Sequence, residues 1–244
     1  MSLSQSRAAR LLVLFATVAT AAAFIWFFQQ FIREQKAAEE TKKAVKTHVT
    51  SAAALIRQGR LQPAEDQLKK ALALDSESSG AHLRLGNIYL KQRQLPLAQR
   101  HLEKACQLSP EDVGIINNLG TTYEQLGDYR RAIEEFKKAI QLMPSEAGGY
   151  NNLAWLYVTC PDTHYRDNQQ AISLATKACE LTGWNQSSPL DTLAIANAEA
   201  ENFQEAVRWQ AKAVEFSPAA QKAALQRRLD SYRQGKSYLT PTQQ

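Results

Sequence analysis

The chain has 244 residues, 44% apolar and 22% charged, a balance typical of folded proteins and sufficient for one or two ordinary domains. Its net charge of +5 is spread as alternating signs ("EEFKKA", "LEKAC"), so it lacks the basic stripe with interleaved aromatics that marks a nucleic-acid interface, and no nucleic-acid partner is expected. Three cysteines, Cys106, Cys160 and Cys179, exclude a disulfide scaffold, and without a CxxC pair they do not suggest zinc.

The first element is residues 11–28, "LLVLFATVATAAAFIWFF", eighteen residues without a charge, glycine or proline. As a helix it would span about 27 Å, against a hydrocarbon core of about 30 Å. Its Leu, Ile, Val and Phe residues contribute roughly −3 to −6 kcal/mol to insertion. Trp26, Phe27, Phe28 and Phe31 collect at one end, where an aromatic belt would sit, and Arg7 and Arg10 flank the other. A transmembrane helix at 11–28, in contact with the lipid bilayer and preceded by a tail at 1–10, is therefore expected. The competing reading is a cleaved signal peptide with "ATAAA" as its cleavage region, which would leave a secreted soluble protein. The apolar run continues through "FIWFF", where a signal peptide turns polar, and this favours the uncleaved anchor. Orientation is balanced between two signals: the short tail favours N-inside, whereas Arg33, Lys36, Lys42, Lys43 and Lys46 outnumber Arg7 and Arg10.

The first glycine is Gly59 and the first proline Pro63, so nothing breaks a helix before them. Residues 29–44 are read as a helical juxtamembrane linker that holds the following domain near the bilayer, with a frayed polar linker as the alternative. Beyond it the sequence repeats itself. Leu85, Leu119 and Leu153 stand thirty-four residues apart, as do Tyr89, Tyr123 and Tyr157; Ala98 and Ala132, and Pro110 and Pro144, keep the same step. In the clearest unit one amphipathic helix carries Ile116, Leu119 and Tyr123. A turn at Gly127 follows, and a second helix carries Ala132, Phe136 and Ala139 before Pro144 ends it.

These residues resemble the tetratricopeptide repeat (TPR) family, whose Leu-Gly, Tyr, Ala, Phe, Ala and Pro pattern is met almost completely over 116–144. The resemblance implies an all-α fold: a right-handed superhelical solenoid of about five helical hairpins plus a C-terminal capping helix, preceded by the single transmembrane helix. The repeats are laid out over 45–220 as 45–78, 79–112, 113–146, 147–186 and 187–220. The first is degenerate in its first helix, with His48, Ser51 and Ala52, and the fourth carries five extra residues. A cap at 221–236, with Ala224, Leu225, Leu229 and Tyr232 on its apolar side, would close the array, and 237–244 reads as a frayed tail.

Reactive-looking residues are weak here. The stretch "CPDTHYRDNQQA" at 160–171 concentrates a thiol, carboxylates, an imidazole, a phenol and a guanidinium, yet it falls at the widened turn of the fourth repeat. An enzyme using His164, Asp162 and Asp167 is the distant alternative; of this loop, Tyr165 and Arg166 are kept as partner contacts. His48, His82, His101 and His164 are read as lying on separate repeats without converging on a metal, and no cofactor is expected. The sequence "GKS" at 235–237 lacks the earlier glycine of a P-loop, and "NQS" at Asn185 is a short sequon. Cys160 and Cys179 are aligned as facing each other across the fourth hairpin, either as two buried thiols or as a pair.

The family resemblance places the binding surface on the concave face lined by first helices. On this chain that face would carry Arg84, Asn87, Asn117, Asn118, Thr121, Asn151, Asn152, Trp155 and Asp191. The amides there would either bond a partner's backbone or bond the neighbouring helix. The lysines and arginine of the clamp that grips acidic chaperone tails are absent, and Gly148 occupies one of their slots, so chaperone-tail binding is not supported. The function implied is a membrane-anchored adaptor, assembly factor or chaperone-like receptor that binds protein or peptide segments, other membrane proteins among them. Bacterial inner-membrane proteins with similar repeats in the periplasm have this layout, which is the expectation here, and so do organelle import receptors facing the cytosol.

Overall fold

The computed structural model describes residues 3–237 and 239, the side chains of 3–22 excepted. Within the described residues there are eleven α-helices and no strand. They are α1 (Leu3–Arg57), α2 (Leu61–Leu74), α3 (Ser79–Lys91), α4 (Leu95–Leu108), α5 (Val113–Gln125), α6 (Tyr129–Leu142), α7 (Ala147–Thr159), α8 (Asn168–Leu181), α9 (Ser187–Glu199), α10 (Phe203–Glu215) and α11 (Ala219–Arg233). The chain divides between Ala81 and His82 into two compact units.

The first unit is built on α1, which runs unbroken through the linker region and ends in a turn at Gly59, where φ is +74°. Absence of glycine and proline explains its length; the left-handed turn then folds α2 back on α1, burying Val45, Ala52, Ala64, Leu68 and Ala71. His48 Nδ1 lies 2.7 Å from Gln67 Oε1 across this hairpin. The apolar run 11–28 falls largely within the residues whose side chains are not described. No helix among the described residues is long and apolar enough to cross a membrane.

The second unit is an all-α helical-repeat array. Helices pair as hairpins α5/α6, α7/α8 and α9/α10, and each hairpin packs on the next through α6/α7 and α8/α9, while α7 also touches α5 and α9. Side-chain size sets the closeness of each pair. A Cβ on Gly120 would stand 2.5 Å from Phe136 Cε1, and one on Gly86 would stand 2.5 Å from Leu102 Cγ, so only glycine lets these helices approach. The main core gathers Leu102, Leu119, Tyr123, Phe136, Leu153, Tyr157 and Ile195 from successive hairpins. Asp112, Asp128 and Asp167 cap α5, α6 and α8 by accepting from backbone amides of the first turn.

The end of the array departs from expectation in three places. Helix α11 buries Leu225, Leu229 and Tyr232 but leaves Ala224 exposed. It is latched by Arg228, which pairs with Asp191 of α9, while Gln210 of α10 donates to the same carboxylate at 2.9 Å. The start of the tail is not frayed: Ser237 bonds Glu199, and Leu239 packs on the main core that Tyr232 joins. Residues 1–2, 238 and 240–244, parts of the two terminal tails, lie outside the described residues.

Candidate protein-binding face

The first helices α5, α7 and α9 present polar residues between their buried positions, and these residues meet across helices. Asn118 Nδ2 donates to Asn87 Oδ1 on α3 at 2.9 Å. Thr192 Oγ1 on α9 donates to Asn151 Oδ1 on α7 at 2.9 Å, and Asn151 Nδ2 points to Ser188 Oγ at 3.4 Å. Asn87, Asn118 and Asn151 thus form rungs between successive first helices, which is the second of the two roles left open for them. Thr121 spends its hydroxyl on its own helix, donating to Asn117 O at 3.0 Å. Arg84 and Asn152 are half-buried. Trp155 packs half-buried against the main core, which leaves part of its ring at the surface.

A cavity of about 390 Å³ opens at the start of α7, lined by Ser145, Glu146, Gly148, Asn151, Gln186 and Ser188 among others. Glu146 precedes α7 without capping it. Its carboxylate folds back over Gly148: a Cβ there would lie 2.8 and 2.9 Å from the two Glu146 oxygens and 3.3 Å from Asn117 Nδ2. Glu146 Oε2 and Asn117 Oδ1 are both enclosed with no hydrogen-bond partner. Sequence reasoning chose Asn117 and Asn151 but missed Glu146. The available signal was the glycine itself, since the lost side chain at Gly148 leaves the room that the carboxylate fills.

The loop 160–171 is internally consumed. Arg166 Nε donates to Cys160 O at 2.6 Å, and Tyr165 packs on Tyr129 with ring centroids 5.7 Å apart. Asp162 accepts from His164 N at 3.0 Å, and this bond with the imidazole holds its carboxyl below the usual range. Asp167 accepts from Gln170 N at 2.9 Å as the α8 cap. These bonds tie Tyr165 and Arg166 to their own chain, while the Arg166 side chain remains exposed at the surface.

Two sequence expectations are corrected here. His82 and His101 belong to one hairpin, and their Nδ1 atoms lie 2.9 Å apart, with Tyr89 5.5 Å from the His101 ring. The reason is the antiparallel register, which brings residues nineteen apart together in the hairpins, as with His48 and Gln67. No group of three or more metal-ligating side chains occurs among the described residues. Cys160 and Cys179 do not face each other. Cys160 ends α7 beside Ala171 in the main core, whereas Cys179 sits in a separate cluster with Leu190 and Ala213. Positions near a turn meet positions near the same turn, and Cys179 lies eight residues beyond Ala171 on α8, about 12 Å at the helical rise. Both thiols are free, and burial pushes Cys179 up to about 12.

Comparison with known proteins bears on the fold. Residues 78–145 match the family model for the tetratricopeptide repeat. No curated protein matches the chain. Among solved structures, the chain is similar to pilF of Pseudomonas aeruginosa (TM-score 0.65, 20% identity, covering 80% of this chain and 86% of that one). It is also similar to YrrB, described as a TPR protein with an unusual peptide-binding site (TM-score 0.54, 22% identity, 79% and 96% covered). A third is MamA 41-end from Desulfovibrio magneticus RS-1 (TM-score 0.59, 16% identity, 71% and 94% covered). Residues 78–145 thus match the tetratricopeptide repeat, and the likeness to these structures, with the hairpin geometry, gives the chain an all-α helical-repeat fold.

Proposed function

We propose that this chain is a membrane-anchored adaptor or assembly factor that holds a segment of a partner protein on the first-helix face of its repeats and catalyses no reaction. The observation that carries the reading is the polar face of α5, α7 and α9. There Asn152 and part of Trp155 remain available beside the bonded rungs, and the cavity at α7 lies next to them. An amide offers donor and acceptor together, so it can pair with an extended backbone, and a part-exposed tryptophan supplies apolar area. YrrB, similar in fold, is described as having a peptide-binding site, which adds support.

The anchoring half of the proposal rests on α1. Phe24, Ile25, Trp26, Phe27, Phe28, Phe31 and Ile32 are 49 to 69% exposed, an apolar surface too large to leave in water and continuous with the run 11–22. A bilayer accounts for it. The repeats are assigned to the periplasmic side of a bacterial inner membrane on the basis of layout.

Crosslinking followed by pull-down from membranes, comparing wild type with Asn152→Ala, Trp155→Ala and Asn118→Ala, tests the binding half. The first two should lose recovered partners, and Asn118→Ala should act through its rung to Asn87. Unchanged recovery in all three refutes the face. Alkaline extraction tests the anchor, which fails if the chain leaves the membrane, and protease protection in sealed vesicles decides the side.

A further inference from the structure

We infer that His82 and His101 form a two-imidazole site for a divalent transition-metal ion, copper(II) foremost, held between α3 and α4 with water in its other positions. The two Nδ1 atoms lie 2.9 Å apart, and with ring centroids 5.1 Å apart the imidazoles are set nitrogen toward nitrogen. Only one proton fits between the two nitrogens. One ring therefore already turns a bare lone pair inward, and the other does so by moving its proton to Nε2. Bonds of about 2.05 Å from one ion to nitrogens 2.9 Å apart subtend about 90°. That is the angle between neighbouring positions of a tetragonal ion, whereas a tetrahedral zinc site would need a separation of about 3.3 Å. Each ring has to turn about χ2 for its lone pair to meet the ion, and that torsion is soft. Both residues keep contact with solvent, the route by which an ion arrives.

Packing alone does not call for two imidazoles here. By the thirty-four-residue period the same pair of positions is His48 with Gln67 in the α1/α2 hairpin, where Nδ1 meets Oε1 at 2.7 Å, and Ile116 with Glu135 in the α5/α6 hairpin. The slot thus accepts pairs of different size and polarity, and of these three hairpins only α3/α4 fills it with two ligating nitrogens. Imidazole suits copper, nickel and zinc, and the affinity of divalent ions for such nitrogen sites peaks at copper(II). The hairpin adds a chelate advantage, because once one nitrogen has bound, the second is already in place. The site is independent of the partner-binding reading above.

The test uses the full chain in detergent micelles, without an affinity tag. It carries Cys106→Ser, His48→Gln and His164→Gln, so that His82 and His101 are the remaining imidazoles. Titration with copper(II) sulfate, followed by electron paramagnetic resonance, should show one copper per chain with the nitrogen couplings of two equatorial imidazoles. In this parent His82→Gln and His101→Gln should each weaken binding at least about tenfold and leave the coupling of a single imidazole. Both should fold, since a histidine facing a glutamine is the arrangement that His48 and Gln67 already form, and far-UV circular dichroism checks it. The parent's own spectrum decides the matter even where a variant is destabilised. Copper bound through one imidazole, no copper bound in molar excess, or affinity unchanged in either folded single variant overturns the inference and leaves the adaptor reading standing.

Discussion

Gly120→Ala sets two effects of known sign against each other. Alanine in a helix interior is favoured over glycine by about 1 kcal/mol. The new Cβ, however, would stand 2.5 Å from Phe136 Cε1, 2.8 Å from Cδ1 and 3.1 Å from Cζ, where ordinary contact begins at 3.4 Å. Phe136 is fully buried and cannot swing aside by the near-ångström required, so α5 and α6 must separate. Overpacking of this kind costs about 1 to 3 kcal/mol, and three short contacts on a rigid ring place it in the upper half, for a net loss of about 1 to 2 kcal/mol. Urea unfolding of the full chain in mild detergent, followed by far-UV circular dichroism, measures it. Gly114→Ala in the same helix is the control, because its Cβ meets only Asp112 Oδ1, the α5 cap, at 3.2 Å, a contact relieved by a few tenths of an ångström, and it should change stability much less than Gly120→Ala. Gly120→Ala/Phe136→Leu should recover most of the loss. If Gly120→Ala stabilises the chain as propensity alone predicts, the close-packed hairpin described above is wrong.

Three further outcomes follow from the geometry. Arg228→Met should cost about 3 kcal/mol by leaving the nearly buried Asp191 carboxylate with only Gln210, and Asp191→Leu/Arg228→Met should restore much of it; equal losses in both variants would refute the latch. Burial raises the Glu124 carboxyl from 4.5 to about 7, so the folded state holds this proton more tightly than the unfolded state does. Stability should therefore fall as pH rises from about 4.5 to 7 and level off above, by at most about 3 kcal/mol, and Glu124→Gln should remove that dependence in pH-resolved urea titrations. In alkylation of the native chain read by mass spectrometry, half-exposed Cys106 should react first and Cys160 and Cys179 last; an intramolecular Cys160–Cys179 disulfide on mild oxidation would contradict their separation.

The thirty-four-residue step of Leu85, Leu119 and Leu153 was enough to find the hairpins, because each repeat buries the same small set of positions against its neighbours, and that requirement writes itself periodically along the chain. The turn at Gly127, with φ at +81°, was legible for the same reason: one backbone conformation demands one residue type. Contacts between repeats were not legible. Asn118 bonds Asn87 thirty-one residues away and Thr192 bonds Asn151 forty-one away, so whether an amide serves a partner or the next helix depends on how two helices happen to cross. The same holds for the misplaced cysteines and the unforeseen His82–His101 contact, which follow from antiparallel register rather than from spacing. The sequence by itself determined the repeat and the eighteen-residue apolar run ahead of it, since both are properties of local pattern. Only the tertiary structure decided that Glu146 turns its carboxylate into the space over Gly148, next to Asn117, because that enclosure exists only once α5 and α7 lie side by side.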